Sequence, residues 1–307
     1  MYFPYLRGRQ FELIALRDLV DKGVLSDKII PIIESVKLSS TLIKTIESYG
    51  KKGKQLGIIV NPKVGGFKID IEEEKNQKLK NSLLTSLKEN DYILYMILLS
   101  ANLNPDEFIK NHKDNMGTIC DNKDAIPVYE ANFAKMKVKY NLIPDESGFR
   151  RKIRNNRVLL ADKFNKQERN NDYIEIDDEP FSEDHLYYVD DGYIGFSDYT
   201  VVGKEYNDTG FAPYAVAIHI VYFDSDKSLR VKHFVSDSND DISDPAGKFQ
   251  EALSKLVEWN KKKQIKTVAM KEFEDLYRRE AYPGLGAVKK LSIMHHLELI
   301  GQYLDKD

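Results

Sequence analysis

The sequence predicts an α/β fold on a parallel sheet, from three observations: eight short apolar runs, the polar residue that ends each, and the helix-like stretch after most of them. Buried parallel strands lose the alternation of half-exposed ones because helices cover both sheet faces, so they read as unbroken apolar runs. The first four runs are residues 2–6 ending at Arg7, 28–33 at Glu34, 56–60 at Asn61 and 92–99 at Ser100. The other four are 116–120 ending at Asp121, 126–129 at Glu130, 158–161 at Asp162, and 193–196 at Ser197 and Asp198. Eight strand units in 307 residues suit a TIM-barrel-like (β/α)8 fold, which occupies about 250 residues and leaves room for additions.

Taken in order, the first elements are regular. Phe11, Leu13, Ile14, Leu16, Leu19 and Val20 form a helical stripe over 9–22, stopped by Gly23. Ser39 or Ser40 can cap a second helix through Tyr49, closed by Gly50. Residues 72–89 read as one polar helix with Leu79, Leu83, Leu84 and Leu87 on its apolar face, and a short helix follows Asn104-Pro105. One join is irregular: only 121–125 separates the fifth run from the sixth, where parallel neighbours need about a dozen residues of crossover. Either a helix has been lost there or one run is not a barrel strand, and Pro127 points to the sixth run as an edge strand or a non-strand.

Beyond Asp162 the pattern changes. Residues 165–191 are acidic and polar, readable as a surface loop with one helical turn or as a lid over the strand ends. Another loop covers 200–213. Runs 214–223 and 229–235 then flank Asp224-Ser225-Asp226-Lys227 as a β-hairpin, with His219, Tyr222 and Lys232 among the aliphatics suggesting one solvated face. Helices are expected over 245–262, 270–280 and 291–304. The expected organisation is one domain, 1–307, with a core over about 1–200 and a hairpin-and-helix elaboration over about 201–307.

Composition narrows the function classes. At 42% apolar and 31% charged residues the chain can bury a large core under a polar surface. A formal charge of −3 argues against coating nucleic acid through bulk positive potential. Nucleic acid remains a partner only through local clusters, Arg150, Arg151, Lys152, Arg154 and Arg157, and Lys261–Lys263 with Lys266, which solvated helix faces also explain. The single Cys120 excludes an internal disulfide and a thiolate-rich zinc site, reads as a buried thiol, and suits a reducing cytoplasm. Residues 1–10 lack a basic, then apolar, leader, and no apolar stretch approaches the ~18–20 residues of a membrane helix. The expectation is therefore a cytoplasmic protein with no membrane partner.

Strand C-terminal ends line the ligand site in parallel α/β folds. That geometry gathers Arg7, Arg9, Glu34, Asn61, Asp121, Glu130, Asp162 and Asp198 on one rim, with Tyr199 next in sequence to the last. Convergent carboxylates repel unless a cation or an arginine lies between them, and hard oxygen ligands suit Mg²⁺, Mn²⁺ or Ca²⁺ better than zinc. Glu34, Asp121, Asp162 and Asp198 are thus the candidate metal ligands, with Glu34, Asp162 and Asp198 the candidate catalytic groups. Arg7, Arg9, Asn61, Glu130 and Tyr199 are the candidate ligand-binding residues, the arginine forks matching phosphate oxygens. Structural arginine–carboxylate pairing explains the same residues, and Glu12 can serve Arg9 or simply the first helical turn. Tyr5, Tyr129 and Tyr199 would give an open rim an aromatic lining.

The histidines add little to the rim. His219 and His233 face each other across the hairpin, read best as a solvated pair because two imidazoles make a poor zinc site. His295 and His296 are neighbours on a helix and diverge, while His185 beside Asp184 could be a general acid borne on the lid. No GxSxG, HExxH, Walker A or GxGxxG arrangement is present.

The opening MYFPYLRGRQFELIALRDL, then KIIPIIE with Pro31 and Glu34, and later VLLADKF and GYIGFSDYT, resemble the phage-type beta-protein family and its bacterial relatives. The resemblance implies a barrel-like α/β protein in a prokaryotic or phage setting, paired with a small protein encoded nearby, in phage defence or on mobile elements. It carries no catalytic signature. A fainter similarity, Arg7-Gly8 after the first strand, is to glycerophosphodiester-type barrel phosphodiesterases. Here Leu6 stands where they have a histidine, and Glu34 is followed by Ser35-Val36 in place of their Glu-x-Asp, so their acid–base machinery is missing. The expected function is recognition of a phosphate-bearing ligand or a partner protein at the rim. The alternatives are a Mg²⁺- or Mn²⁺-dependent phosphoesterase or nuclease, and a non-catalytic scaffold.

Overall fold

The computed structural model describes residues 1–112, 114–207 and 213–306, so part of the loop expected over 200–213 lies outside the described residues. In chain order the strands are β1 (Tyr5–Leu6), β2 (Ile32–Ile33), β3 (Leu56–Ile59), β4 (Ile93–Leu98), β5 (Met116–Ile119) and β6 (Tyr140–Ile143). They continue with β7 (Arg157–Leu160), β8 (Asp178–Ser182), β9 (Gly195–Ser197), β10 (Ala217–Phe223) and β11 (Leu229–Val235). The chain forms two compact units: Met1–Gly23, Asp27–Asp162 and Asp184–Tyr199 make the first, and Val24–Ser26, Lys163–Glu183 and Thr200–Asp307 the second.

The first unit is the eight-stranded parallel sheet β1 to β7 and then β9. The sheet curls back on itself: Tyr2 bridges in parallel to both Ile29 and Phe196. The Phe3 and Tyr5 amides donate to the Phe196 and Asp198 carbonyls, both at 2.8 Å. Closure removes the sheet edges, and the interior is filled by side chains such as Phe3, Tyr5, Ile32, Met96, Leu142 and Tyr199. Helix α1 (Gln10–Asp21) follows β1 and matches its apolar stripe; α2 (Ser40–Lys51) follows β2, runs through Gly50, and is capped by the Ser39 hydroxyl, which accepts from the Leu42 amide at 3.2 Å.

Two expectations need correction in this unit. Residues 72–89 are not one helix: α3 (Phe67–Glu72) and α4 (Gln77–Lys88) are separated by a single tight turn. A short helix α5 (Asp106–His112) follows Pro105 as the proline predicts. The sixth run, counted among the eight but read from Pro127 as an edge strand or a non-strand, is the second of these alternatives: it is helix α6 (Ile126–Asn132), with Pro127 in its first turn where a missing N–H costs nothing. The sixth strand is β6, hidden in the sequence by Asn141 between its apolar residues. That amide is buried, accepting from the Thr118 hydroxyl at 2.7 Å and donating to the Asn155 carbonyl at 2.8 Å. The crossover from β5 to β6 through α6 is then long enough for parallel neighbours, and the short helix α7 (Ser147–Lys152) connects β6 to β7.

The turn after β3 gives a direct test of packing. Gly65 has φ of +72° and its Gly66 neighbour donates an amide hydrogen bond to the Val36 carbonyl at 2.8 Å. A Cβ on Gly65 would lie 2.2 Å from the Val36 oxygen and 2.7 Å from its Cα, backbone atoms with no rotamer to escape through. Gly65→Ala is expected to lose at least about 2 kcal/mol from the positive φ and the clash together, read as a lowered urea midpoint at unchanged m. Wild-type stability in that variant would show the turn to be free to move.

In the second unit the hairpin β10–β11 is antiparallel, and β8 adds to β11 as a third strand. The polar segment 165–191 is therefore neither bare loop nor simple lid: it holds α8 (Tyr173–Ile176), the edge strand β8, and α9 (Asp184–Tyr187), of which α9 is in the first unit. Pro180 is tolerated in β8 because an edge strand leaves one row of amides unpaired. The hairpin has no simple solvated face. His219 and Tyr222 point to opposite sides, and His233 and Tyr222 are buried, with α10 (Pro245–Lys263) and α12 (Leu285–Leu304) packed on β10. Between those helices runs α11 (Val268–Arg278), docked on α12 through the Val268 amide, which donates to the Glu298 carboxylate at 2.8 Å. No described helix is long and apolar enough to cross a membrane.

Candidate functional site

Glu34, directly after β2, is the centre of the rim and is 1% exposed. Its Oε2 accepts from the Tyr5 hydroxyl at 2.7 Å and from the Arg7 guanidinium, and its Oε1 accepts from the Lys63 amide at 2.8 Å. Arg7 stands 5.1 Å from the Tyr5 ring centroid and 5.4 Å from that of Tyr199, and the two rings are 4.8 Å apart. The sequence produces this arrangement locally. Tyr5 and Arg7 are two residues apart across the end of β1 and so share a side of the strand, while Gly8, at φ +64°, turns the chain where an added Cβ would meet Ile33 at 2.9 Å. Burial first, and then the Glu34 carboxylate, pushes the Tyr5 hydroxyl well above its ordinary pKa. Burial does the same to Tyr199, against the opposing pull of Arg7. Both phenols are thus hydrogen-bonding groups at neutral pH, not bases.

The remaining rim candidates separate. Asp198 is buried and accepts from the Tyr2 hydroxyl at 2.8 Å, inside the barrel wall. Asn61 is a β-strand clamp, donating to the Leu98 carbonyl at 2.8 Å and accepting from the Leu98 amide at 2.9 Å. Asp121 is half-buried and Asp162 is exposed; the charges of both bear on Tyr199. Arg9 caps α1, its amide donating to Glu12 at 3.3 Å. Glu130 does not reach the rim: it lies exposed on α6, paired with Lys152 at 2.8 Å, because its run is a helix and not a barrel strand. Tyr5 and Tyr199, 3% and 4% exposed, fill the barrel, and Tyr129 is buried on α6 beside Phe133, so none of the three rings lines an open mouth.

Among the described residues no three His, Cys, Asp or Glu side chains converge to hold a metal ion. Glu34, Asp121, Asp162 and Asp198 therefore do not form the expected ion site, and the reason is visible in two of them: Arg7 and Tyr5 occupy Glu34, and Tyr2 occupies Asp198. Cys120 is buried, with its thiol pushed up to about 12 chiefly by burial, which makes it a poor nucleophile. The basic cluster is also engaged locally, Arg150 with Asp145, Lys152 with Glu130, and Arg157 donating to the Gly192 carbonyl at 2.9 Å.

Lys63 is a rim residue that the strand-end pattern does not single out. Besides its amide on Glu34, its ammonium donates to the Leu99 carbonyl at 3.2 Å. The signal for it is Asn61-Pro62-Lys63 just beyond β3, a polar stop whose third residue matters as much as its first.

Fold and rim together define the first unit as a TIM-barrel-like α/β protein whose strand ends hold one buried arginine–carboxylate pair. No protein-family model, no curated protein and no solved structure matches the chain.

Proposed function

We propose that the barrel is a recognition body, taking a phosphate-bearing ligand at its strand-end rim and acting with a partner protein encoded nearby in a prokaryotic defence or mobile-element pair. The observation that carries the ligand reading is Arg7, held in place by the buried Glu34 and by the Tyr5 and Tyr199 rings. A guanidinium fixed in this way has already lost its rotamer entropy, and its planar fork matches the geometry of phosphate oxygens. Glu34 lowers the net charge of the site, so the reading calls for selective, moderate affinity and not for bulk attraction of anions. The resemblance of the N-terminal motif supports the partner and the defence setting.

The test is thermal stability against inorganic phosphate and a nucleotide panel. A ligand at one hundred times its Kd should add about 2.7 kcal/mol. Arg7→Lys, which keeps the charge but loses the fork, should abolish the ligand-dependent rise whatever its effect on the unliganded protein. No rise with any member of the panel would remove the ligand reading. The specific observation favouring a scaffold is the filled barrel end, where Tyr5 and Tyr199 are buried; that reading expects such a null together with capture of the protein encoded nearby.

A further inference from the structure

The second unit contains a row of three polar side chains that the rim does not use. Neighbouring strands carry them: His219 on β10, His233 opposite it on β11, and Glu179 on β8, which pairs with Val231 two residues from His233. All three therefore share one sheet face. The histidine Nδ1 atoms are 2.8 Å apart, and the Nε2 of His233 is 3.2 Å from Glu179 Oε1. Beside them is a cavity of about 280 Å³, lined by Phe164, Tyr173, His219, Leu285, Val288 and Lys289 among others. Its size is at the lower end of ligand pockets, and its lining mixes rings and aliphatics with a few polar groups.

Proton accounting fixes the tautomers. With Glu179 as a carboxylate, the facing nitrogen of His233 must carry the proton, since a lone pair there would meet a negative charge. The Nδ1 of a neutral His233 is then an acceptor, so His219 donates from its own Nδ1. What remains is a bare Nε2 on His219, the residue that lines the cavity, and that atom has no hydrogen-bond partner among the described residues.

We propose that this cavity binds a compact aromatic or heteroaromatic ligand that donates an O–H or N–H to His219 Nε2. The rings of Phe164 and Tyr173 meet His219 edge-on at centroid distances of 5.1 and 4.6 Å, leaving apolar walls for a flat ligand. Burial, then the charges of His233 and Lys289, depress His219 to about 3. Burial also lowers His233 against the pull of Glu179, Asp178 and Asp177. Both imidazoles are thus neutral at pH 7, as the row requires. A proton accepted at Nε2 can be passed through Nδ1 to His233, where Glu179 balances the charge. The row would therefore strengthen His219 as an acceptor towards an acidic donor.

Long-range proton–nitrogen correlation spectra of the full chain at neutral pH test this directly, with phenol as the probe and benzene as the control lacking a donor. The expected result is a protonated Nδ1 and a bare Nε2 on His219, whose Nε2 resonance moves saturably with phenol and much less with benzene. His219→Phe should lose the phenol heat in calorimetry, and the spectra of the unaltered protein decide the matter if that variant does not fold. A protonated Nε2, no response to phenol, or an equal response to benzene would overturn the proposal.

Discussion

Glu34→Ala is expected to remove about 3–5 kcal/mol of stability, the usual cost of breaking a buried ion pair from one side. Three donors converge on this carboxylate, the Tyr5 hydroxyl, the Arg7 guanidinium and the Lys63 amide. The alanine satisfies none of them and leaves a largely buried cation uncompensated, the Arg7 side chain being 11% exposed. Glu34→Gln keeps the volume and one acceptor oxygen, so its loss should be clearly smaller. Tyr5→Phe should cost about 1 kcal/mol, the value of one hydrogen bond, since it removes a donor without stranding a charge. Urea midpoints at constant m measure all three. An alanine variant within about 1 kcal/mol of wild type would mean that water replaces the carboxylate, and that the rim is wetter than its burial indicates.

Acidification should destabilise the second unit nearly as strongly. His295 on α12 is fully buried, donating from Nε2 to the Val221 carbonyl at 2.8 Å and paired through Nδ1 with the Thr267 hydroxyl at 3.0 Å. Burial lowers it from 6.5 to about 4, partly offset by the Val221 bond. A depressed histidine is neutral in the folded chain while the unfolded chain takes up the proton, so its contribution is complete above pH 6.5 and drains away as the pH falls towards 4. A pKa difference of one between the folded and unfolded chain is worth about 1.36 kcal/mol, so His295 alone should remove about 3 kcal/mol by pH 4. His219 moves in the same direction but borders a cavity and keeps some solvent, so it adds a smaller share. Stability measured from pH 7 to 4 should fall with a slope that flattens in His295→Gln. An unchanged slope in that variant would assign the acid sensitivity to the carboxylates.

Most of the barrel was legible because burial on both faces writes itself into a parallel strand as an unbroken apolar run. Runs such as 56–60 and 92–99 contain β3 and β4 within them. The misreading at 126–129 has a definite cause: a four-residue apolar stretch has the same composition in a strand and in the first turn of a helix, and only length arbitrates. Strand β6 was lost for the converse reason, since Asn141 is polar by type and apolar only by situation, its amide satisfied by Thr118 of β5 and by the Asn155 carbonyl just before β7. The rim was legible as a set of positions. Its chemistry was not, because a glutamate after a strand reads the same whether it faces an ion or an arginine.

The amino-acid sequence by itself determined that this chain builds a parallel α/β barrel with polar residues after its strands, and that a hairpin and helices follow. These are properties of periodicity and turn chemistry, which act over a few residues. Tertiary structure alone decided that Glu34 is saturated by Tyr5, Arg7 and Lys63, and that Asp198 faces Tyr2 across the barrel closure. It also decided that Glu179, His233 and His219 form one row. Each of these pairings joins residues at least 14 positions apart, and most join residues much farther apart. A carboxylate's state is set by whichever donors the fold brings within about 3 Å, and no local pattern encodes that distance.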